Sequence, residues 1–209
     1  MQSPGSAAAA ARERSPEEVR ERIERLSLIA AATVFELVLF VLDAAIPKPI
    51  PWIKLGLANI VTLSLLVGAG WRVAAAVHFL RIMIGAVFRG GLFTPFFLLS
   101  FGGGAVSFIV MALAVRWAMP VMGFVGVSFL GALAHNTVQL LLVSAALASS
   151  SILRLLWPAV LIFSLFYGVF SGWCSYHFCR RIPQLAGGRL RRVRAGQTPA
   201  GAGDGFLRT

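Results

Sequence analysis

Eight ionisable or amide side chains lie inside the long apolar stretches of this 209-residue chain. They are Glu36, Asp43, Asn59, His78, Arg81, His135, Asn136 and Gln139. Such groups are costly to keep in lipid, so they usually face the interior of a helix bundle and mark binding sites or proton pathways. Glu36 and Asp43 are seven residues apart and therefore lie on one face of a helix, as do His135 and Gln139. These residue types can bind a polar small molecule through charge and hydrogen bonds.

Depth within the apolar stretches divides these residues into two groups, because a helix rises about 1.5 Å per residue. Glu36, Arg81 and His135 fall near the middle of their stretches, where a Glu36–Arg81 ion pair is the simplest way to keep both charges. The half of the membrane away from the chain termini contains Asp43, Asn59, Asn136 and Gln139. These groups could line one polar pocket, or the amides could instead form hydrogen bonds between helices.

The segment 46–59, "IPKPIPWIKLGLAN", separates the first two apolar stretches. Its three prolines cannot continue a helix and favour extended backbone. Trp52 suits a membrane interface, and Lys48 and Lys54 place a cation on either side of it. The segment is either a rigid interfacial turn with snorkelling lysines or a preformed lid over a ligand. The candidate ligand-binding residues are therefore Asp43, Trp52, Lys54, Asn59, Arg81, His135, Asn136 and Gln139.

Composition predicts an integral membrane protein. The chain is 58% hydrophobic and 13% charged, with a mean hydropathy of +0.82, whereas a soluble domain averages about 25% charged residues. Six apolar segments are spaced as membrane helices, at 26–46, 55–69, 71–89, 94–116, 123–148 and 153–178. We predict an all-α fold with one six-helix membrane domain at 26–180. A cytoplasmic segment, disordered and then a short charged helix, precedes it at 1–25, and a basic cytoplasmic tail follows at 181–209.

The basic residues predict the orientation. If both termini are cytoplasmic, that side carries fourteen of the nineteen Lys and Arg, and the other side carries four. This follows the positive-inside rule for a multi-pass protein of the cytoplasmic (inner) membrane. The net charge of +11 does not indicate a nucleic-acid partner, because the basic residues flank apolar segments and no polar basic domain is present.

Three stretches carry a resemblance to a known family: "IPKPIPWIKLGLANIVTLSLL", "FTPFFLLSFGGGAVSFIVMAL" and "SFLGALAHNTVQLLLV". From about Leu28 to about Arg180 the chain resembles the Gx transporter family, also labelled heptaprenyl diphosphate synthase component I. That family is similar to the substrate-binding (S) components of energy-coupling-factor transporters. The resemblance implies six membrane helices, cytoplasmic termini and a ligand held near the outer face beneath loops. It also implies a transmembrane coupling protein driven by two ATPase subunits as partners.

Three functions remain open on this basis. The first is the membrane-embedded substrate-binding component of an importer for a vitamin-like or cofactor-precursor molecule. The second is a non-catalytic membrane subunit of heptaprenyl diphosphate synthase in menaquinone biosynthesis; the DDxxD motifs typical of such synthases are missing, since Asp43 and Asp204 are isolated. The third is a stand-alone secondary transporter, in which Glu36, His78 and His135 could relay protons together with Asp43. We predict no catalytic residues, cofactor or metal site in this chain.

Overall fold

The structure, a computed structural model, describes residues 16–46, 56–88, 90–92 and 94–181. All regular secondary structure in these ranges is helical, which confirms the predicted all-α class. The six helices are α1 (Pro16–Ala45), α2 (Leu57–Gly68), α3 (Trp71–Phe88), α4 (Pro95–Trp117), α5 (Met119–Ala146) and α6 (Ser150–Arg181).

The short helix α2 lies at the centre of the bundle. The other five helices surround it in the order α1, α3, α4, α5, α6, and every one of them contacts it. Phe35 of α1 stacks on Phe178 of α6, with ring centroids 5.6 Å apart, and closes the ring. Every residue of α2 from Ala58 to Val67 is buried. A helix that is apolar on all sides is typical of one enclosed by protein.

The outer surface of the bundle is apolar, unlike that of a soluble protein, and several polar side chains are buried. The buried residues of α1 are Thr33, Glu36, Phe40 and Asp43, whereas apolar side chains on the opposite face, such as Val34 and Val41, are exposed. The same holds for the outward faces of α4 and α6. A soluble monomer rarely exposes so much contiguous apolar surface. Five helices are long and apolar enough to cross a bilayer, so the chain is a multi-pass membrane protein.

Four helices differ from the predicted lengths by more than one residue. α6 runs from Ser150 to Arg181, whereas the predicted segment is 153–178. The charged lead-in and the first membrane helix form one continuous helix, α1, from Pro16 onwards. α5 begins at Met119, and the predicted start at Gly123 is a kink where φ is +60°. α2 has only 12 residues, which corresponds to about 18 Å. It is too short to cross about 30 Å of hydrocarbon alone, but it is enclosed by protein and need not face lipid.

Glycines let the helices approach closely on two sides of the bundle. A Cβ atom at Gly172 of α6 would lie 2.6 Å from the Cα atom of Val125, and one at Gly168 would lie 2.5 Å from the Cα atom of Phe129. On α4, a Cβ atom at Gly103 would lie 3.0 Å from the carbonyl oxygen of His135. Small residues at helix interfaces are the usual means of close packing in membranes. The Gly102–Gly104 run therefore serves helix contact, as its position within a span predicts.

Replacement of Gly172 by leucine tests the contact between α5 and α6. We expect Gly172→Leu to lower the melting temperature of the purified protein in detergent, by an overpacking cost of about 1–3 kcal/mol, because the atoms it meets belong to the backbone of α5. The control is Val169→Leu, at an exposed position of the same helix. Equal melting temperatures for the two variants would contradict close α5–α6 packing.

Candidate functional site

A small cavity lies at the N-terminal end of α2, where the central helix stops and the surrounding helices continue. The first turn of α2 and its preceding residue, Gly56–Asn59, line one side. The remaining lining residues come from three helices of the ring: Phe40 and Asp43 of α1, Arg81 of α3, and Ala132, His135 and Asn136 of α5. The volume open to the centre of a water molecule is about 20 Å³. That is enough for about one water molecule.

The N-terminus of α2 contributes a positive electrostatic end to this cavity. Gly56 occupies the N-cap position in the left-handed region, with φ +76°, and has no side chain to cap the helix. Its carbonyl oxygen accepts a hydrogen bond of 3.2 Å from the Ser171 hydroxyl of α6. The first N–H groups of a helix lack partners within the helix and carry the positive end of its dipole.

A buried ion pair connects α1 and α3 beside the cavity. Arg81 Nε lies 3.2 Å from Glu36 Oε2, and the two side chains are 6% and 0% exposed. The guanidinium also lies over the ring of Phe40, 5.7 Å from its centroid. The two charges assigned to mid-membrane depth from the sequence are therefore in direct contact. Separating charges in so dry a place is costly, so this pair holds α1 against α3.

A chain of hydrogen bonds continues from this ion pair into the core. The Thr62 hydroxyl of α2 donates to Glu36 Oε1 at 2.5 Å. The hydroxyl oxygen of Thr62 also lies 3.1 Å from Nδ1 of His78, and Nε2 of His78 lies 3.2 Å from the Gly104 carbonyl oxygen of α4. A Cβ atom at Gly104 would lie 3.1 Å from that nitrogen, so the glycine permits the contact. Four helices are thus joined through one polar chain.

Thr62 is the residue of this hydrogen-bond chain that was not predicted from the sequence. Its position close to two other polar residues of the same helix could have indicated a buried polar contact. Thr62 lies three residues after Asn59 and two before Ser64, in a helix that is otherwise apolar. A hydroxyl group that is 0% exposed in a membrane bundle needs a polar partner, and Glu36 supplies it.

The other predicted site residues separate into three groups. Five predicted residues, Asp43, Asn59, Arg81, His135 and Asn136, line the cavity together. Gln139 is not among the described lining residues; it donates to the Leu99 carbonyl oxygen of α4 at 3.4 Å. Trp52 and Lys54 lie outside the described residues.

Asn136 is the amide that combines burial with access to the cavity. It is 2% exposed, and its Nδ2 donates to the Ser164 hydroxyl of α6 at 3.1 Å. Its Oδ1 has no hydrogen-bond partner among the described residues. A buried amide oxygen without a partner carries a desolvation cost of about 1–3 kcal/mol, so a polar ligand or water in the cavity would stabilise it.

A second crevice adjoins the first on the other side of Arg81. It lies between α1, α3 and the start of α4 and is lined by Phe40, Arg81, Ile82, Gly85, Ala86, Thr94, Phe96, Phe97 and Ser100. Phe40 and Arg81 belong to both linings. The lining of this crevice is mainly aromatic and aliphatic, and its polar residues are Arg81, Thr94 and Ser100. Arg81 therefore borders both spaces.

Together these features define a class: a polytopic α-helical membrane protein whose bundle encloses a polar cavity next to a buried ion pair. Among the described residues, no group of His, Cys, Asp and Glu could hold a metal ion. The chain belongs to the family described as heptaprenyl diphosphate synthase component I, which matches residues 30–178. Comparison with curated proteins and with solved structures gives no significant match.

The ion pair can be tested by a double-mutant comparison. Arg81→Met leaves the Glu36 carboxylate buried without its cation, so we expect it to destabilise the protein by about 3–5 kcal/mol. Glu36→Met combined with Arg81→Met removes both charges and should cost less. Thermal unfolding in detergent measures the difference, with the exposed Arg72→Met on the same helix as the control. Equal losses of thermal stability in Arg81→Met and in the double variant would refute the Glu36–Arg81 ion pair.

Proposed function

We propose that this chain is the membrane-embedded substrate-binding component of a small-molecule importer of the energy-coupling-factor type. The observation that carries the proposal is the convergence of Asp43, Asn59, Arg81, His135 and Asn136 on one cavity inside the ring. Intramembrane polar groups that served packing alone would pair off separately between helices. Here they share a space, and one of the lining residues, Asn136, has a buried Oδ1 atom without a hydrogen-bond partner among the described residues.

The cavity favours a small polar ligand with both hydrogen-bonding and charged groups. Arg81 and the N-terminal end of α2 present positive potential, and Asp43 presents a carboxylate on the same lining. A molecule larger than a few atoms does not fit in about 20 Å³, so its binding requires the walls to move apart. Vitamin-like and cofactor-precursor molecules match this combination of polar groups.

The proposed topology has six membrane helices, both termini in the cytoplasm and the cavity toward the outer face of the inner membrane. The distribution of basic residues supports this orientation. The chain has no nucleotide-binding loop, so transport energy would come from a transmembrane coupling protein and its ATPases. Such partners would dock on the membrane-exposed faces of the bundle.

The second candidate is a non-catalytic membrane subunit of heptaprenyl diphosphate synthase in menaquinone biosynthesis. The description of the matching family favours it. In this function the catalytic aspartates would belong to the other subunit, because Asp43 and Asp204 are too isolated to bind magnesium diphosphate. The apolar crevice beside Arg81 would suit part of an isoprenoid chain.

Purification of the tagged protein from its native membrane separates the two candidates. The importer predicts co-purification with a coupling protein and ATPases, and a small molecule released on denaturation and identified by mass spectrometry. The synthase subunit predicts co-purification with a prenyltransferase, whose activity falls when this chain is deleted. Co-purification with a prenyltransferase and without ATPases would contradict the importer function.

Two matched amide substitutions on α5 test the cavity. We expect Asn136→Leu to abolish retention of the co-purifying small molecule, because it removes the amide that borders the cavity. Gln139→Leu should retain it, because Gln139 faces Leu99 of α4. Mass spectrometry of equal amounts of folded protein measures the retained ligand. If neither variant loses the co-purifying small molecule, or if both lose it equally, the proposed binding site is contradicted.

A further inference from the structure

The donor and acceptor roles along the hydrogen-bond chain from Glu36 to Gly104 determine how many protons the chain holds. The Gly104 carbonyl oxygen can only accept, so Nε2 of His78 must carry a proton and donate it. The Thr62 hydroxyl has a single proton, yet its oxygen lies within hydrogen-bond distance of both Glu36 Oε1 and His78 Nδ1. It can donate to one of them, and it must accept from the other.

The Ala58 carbonyl oxygen lies 3.5 Å from the Thr62 hydroxyl, too far to compete for its proton with Glu36 Oε1 at 2.5 Å. Two arrangements satisfy the remaining three contacts. In the first, Thr62 donates to an ionised Glu36 and accepts from Nδ1 of His78, which is then an imidazolium. In the second, a protonated Glu36 donates to the Thr62 oxygen, and Thr62 donates to Nδ1 of a neutral His78. Both arrangements contain the same number of protons. They interconvert when the Glu36 proton moves to Thr62 Oγ1 while the Thr62 proton moves to His78 Nδ1.

Removal of one proton leaves a contact that cannot be satisfied. If Glu36 is ionised and His78 is neutral, Thr62 donates to Glu36 and two lone pairs face each other across 3.1 Å, on Thr62 Oγ1 and His78 Nδ1. His78 is 1% exposed and Thr62 is 0% exposed, so water cannot easily relieve this repulsion. An unsatisfied polar contact in such a place is expensive.

Charge balance leads to the same proton count. The titratable and charged groups in and around this chain are Glu36 and His78 within it, Arg81 in contact with Glu36, and Asp43 and His135, which line the neighbouring cavity with Arg81. The described parts of α2, α4 and α6 place no charged group against it. With one extra proton on the Glu36–His78 pair, and with His135 neutral, the charges of these groups sum to zero. Without that proton they leave a net negative charge inside the membrane, which is costly.

The structure assigns a proton-binding site to Glu36, Thr62 and His78, in which one exchangeable proton is shared between the carboxylate and the imidazole through the threonine hydroxyl. The site is separate from the ligand cavity, since none of its three residues lines that cavity among the described residues. Arg81 connects the two, because it contacts Glu36 and borders the cavity. The assignment does not depend on which small molecule the cavity binds.

The proton count at neutral pH is measurable in the full-length protein reconstituted in lipid. Glu36 is the only glutamate beyond Glu24, so infrared spectra of carbon-13 glutamate-labelled protein report whether a membrane-embedded carboxyl group is protonated. Nitrogen-15 NMR of histidine-labelled protein, with His78→Gln for assignment, reports both ring nitrogens of His78. We expect one of the two groups to be protonated: either a carboxylic acid with a neutral imidazole, or a carboxylate with an imidazolium.

An ionised Glu36 beside a neutral His78, or a protonated Glu36 beside an imidazolium, would overturn the assignment. A mixture of the two expected arrangements would support it, because they contain the same number of protons. This measurement uses the wild-type sequence for the glutamate signal, so it does not depend on whether a variant folds.

Substitution of Thr62 tests whether its hydroxyl group lets Glu36 and His78 share the proton. As the pH is raised, one shared proton should leave: only the signal of the group that holds it should change, or, where both arrangements are populated, the Glu36 and His78 signals should change with one common midpoint. The same behaviour is expected in the wild type and in Thr62→Ser, which keeps the hydroxyl. In Thr62→Val, of similar shape but without a hydroxyl, the two signals should change at separate midpoints. Ser64→Ala, on the same helix but outside the chain, should behave as the wild type does. A common midpoint in Thr62→Val would overturn the role of Thr62.

Discussion

The contact between Glu36 and Arg81 is the interaction on which the arrangement of the bundle depends. Two opposite charges in a membrane interior are tolerated only when they are close together and their remaining atoms are satisfied. Arg81 Nε lies 3.2 Å from Glu36 Oε2, and Glu36 Oε1 accepts a hydrogen bond from the Thr62 hydroxyl. Because these residues come from α1, α3 and α2, the pair fixes the position of the outer helices around the central one.

The length of α2 determines where the cavity forms. Twelve residues fill only part of the space inside a ring whose other helices have 18 to 32 residues. The helix contacts the ring along its whole length, and the core clusters around its C-terminal part, with Leu65, Leu66 and Val67 almost fully enclosed. At its N-terminal end, polar residues of the ring meet around empty space. The cavity therefore lies where the first turn of the short central helix meets polar residues of α1, α3 and α5.

Hydropathy and spacing were sufficient to predict the helical class and the approximate helix bounds. The Glu36–Arg81 contact followed from two charges at equal depth. Other features depend on three-dimensional packing that spacing does not encode. Gln139 is one helical turn from His135, yet it lies against Leu99 of α4. The partnership of Thr62 with Glu36 required knowing that α2 is central, because a threonine in a lipid-facing helix could have bonded to its own backbone.

The ring of outer helices has one weak side. Neighbouring outer helices pack along their lengths except α1 and α6, whose contact in the described residues is sparse and centres on Phe35 and Phe178. α1 is also the helix that carries both buried carboxylates, Glu36 and Asp43. An outward movement of α1 from α6 that also separated it from α3 would pull Glu36 away from Arg81, so this ion pair opposes such a movement. Protonation of Glu36 would weaken that attraction, and the protonation state of the bundle would thereby govern how readily α1 can move outward.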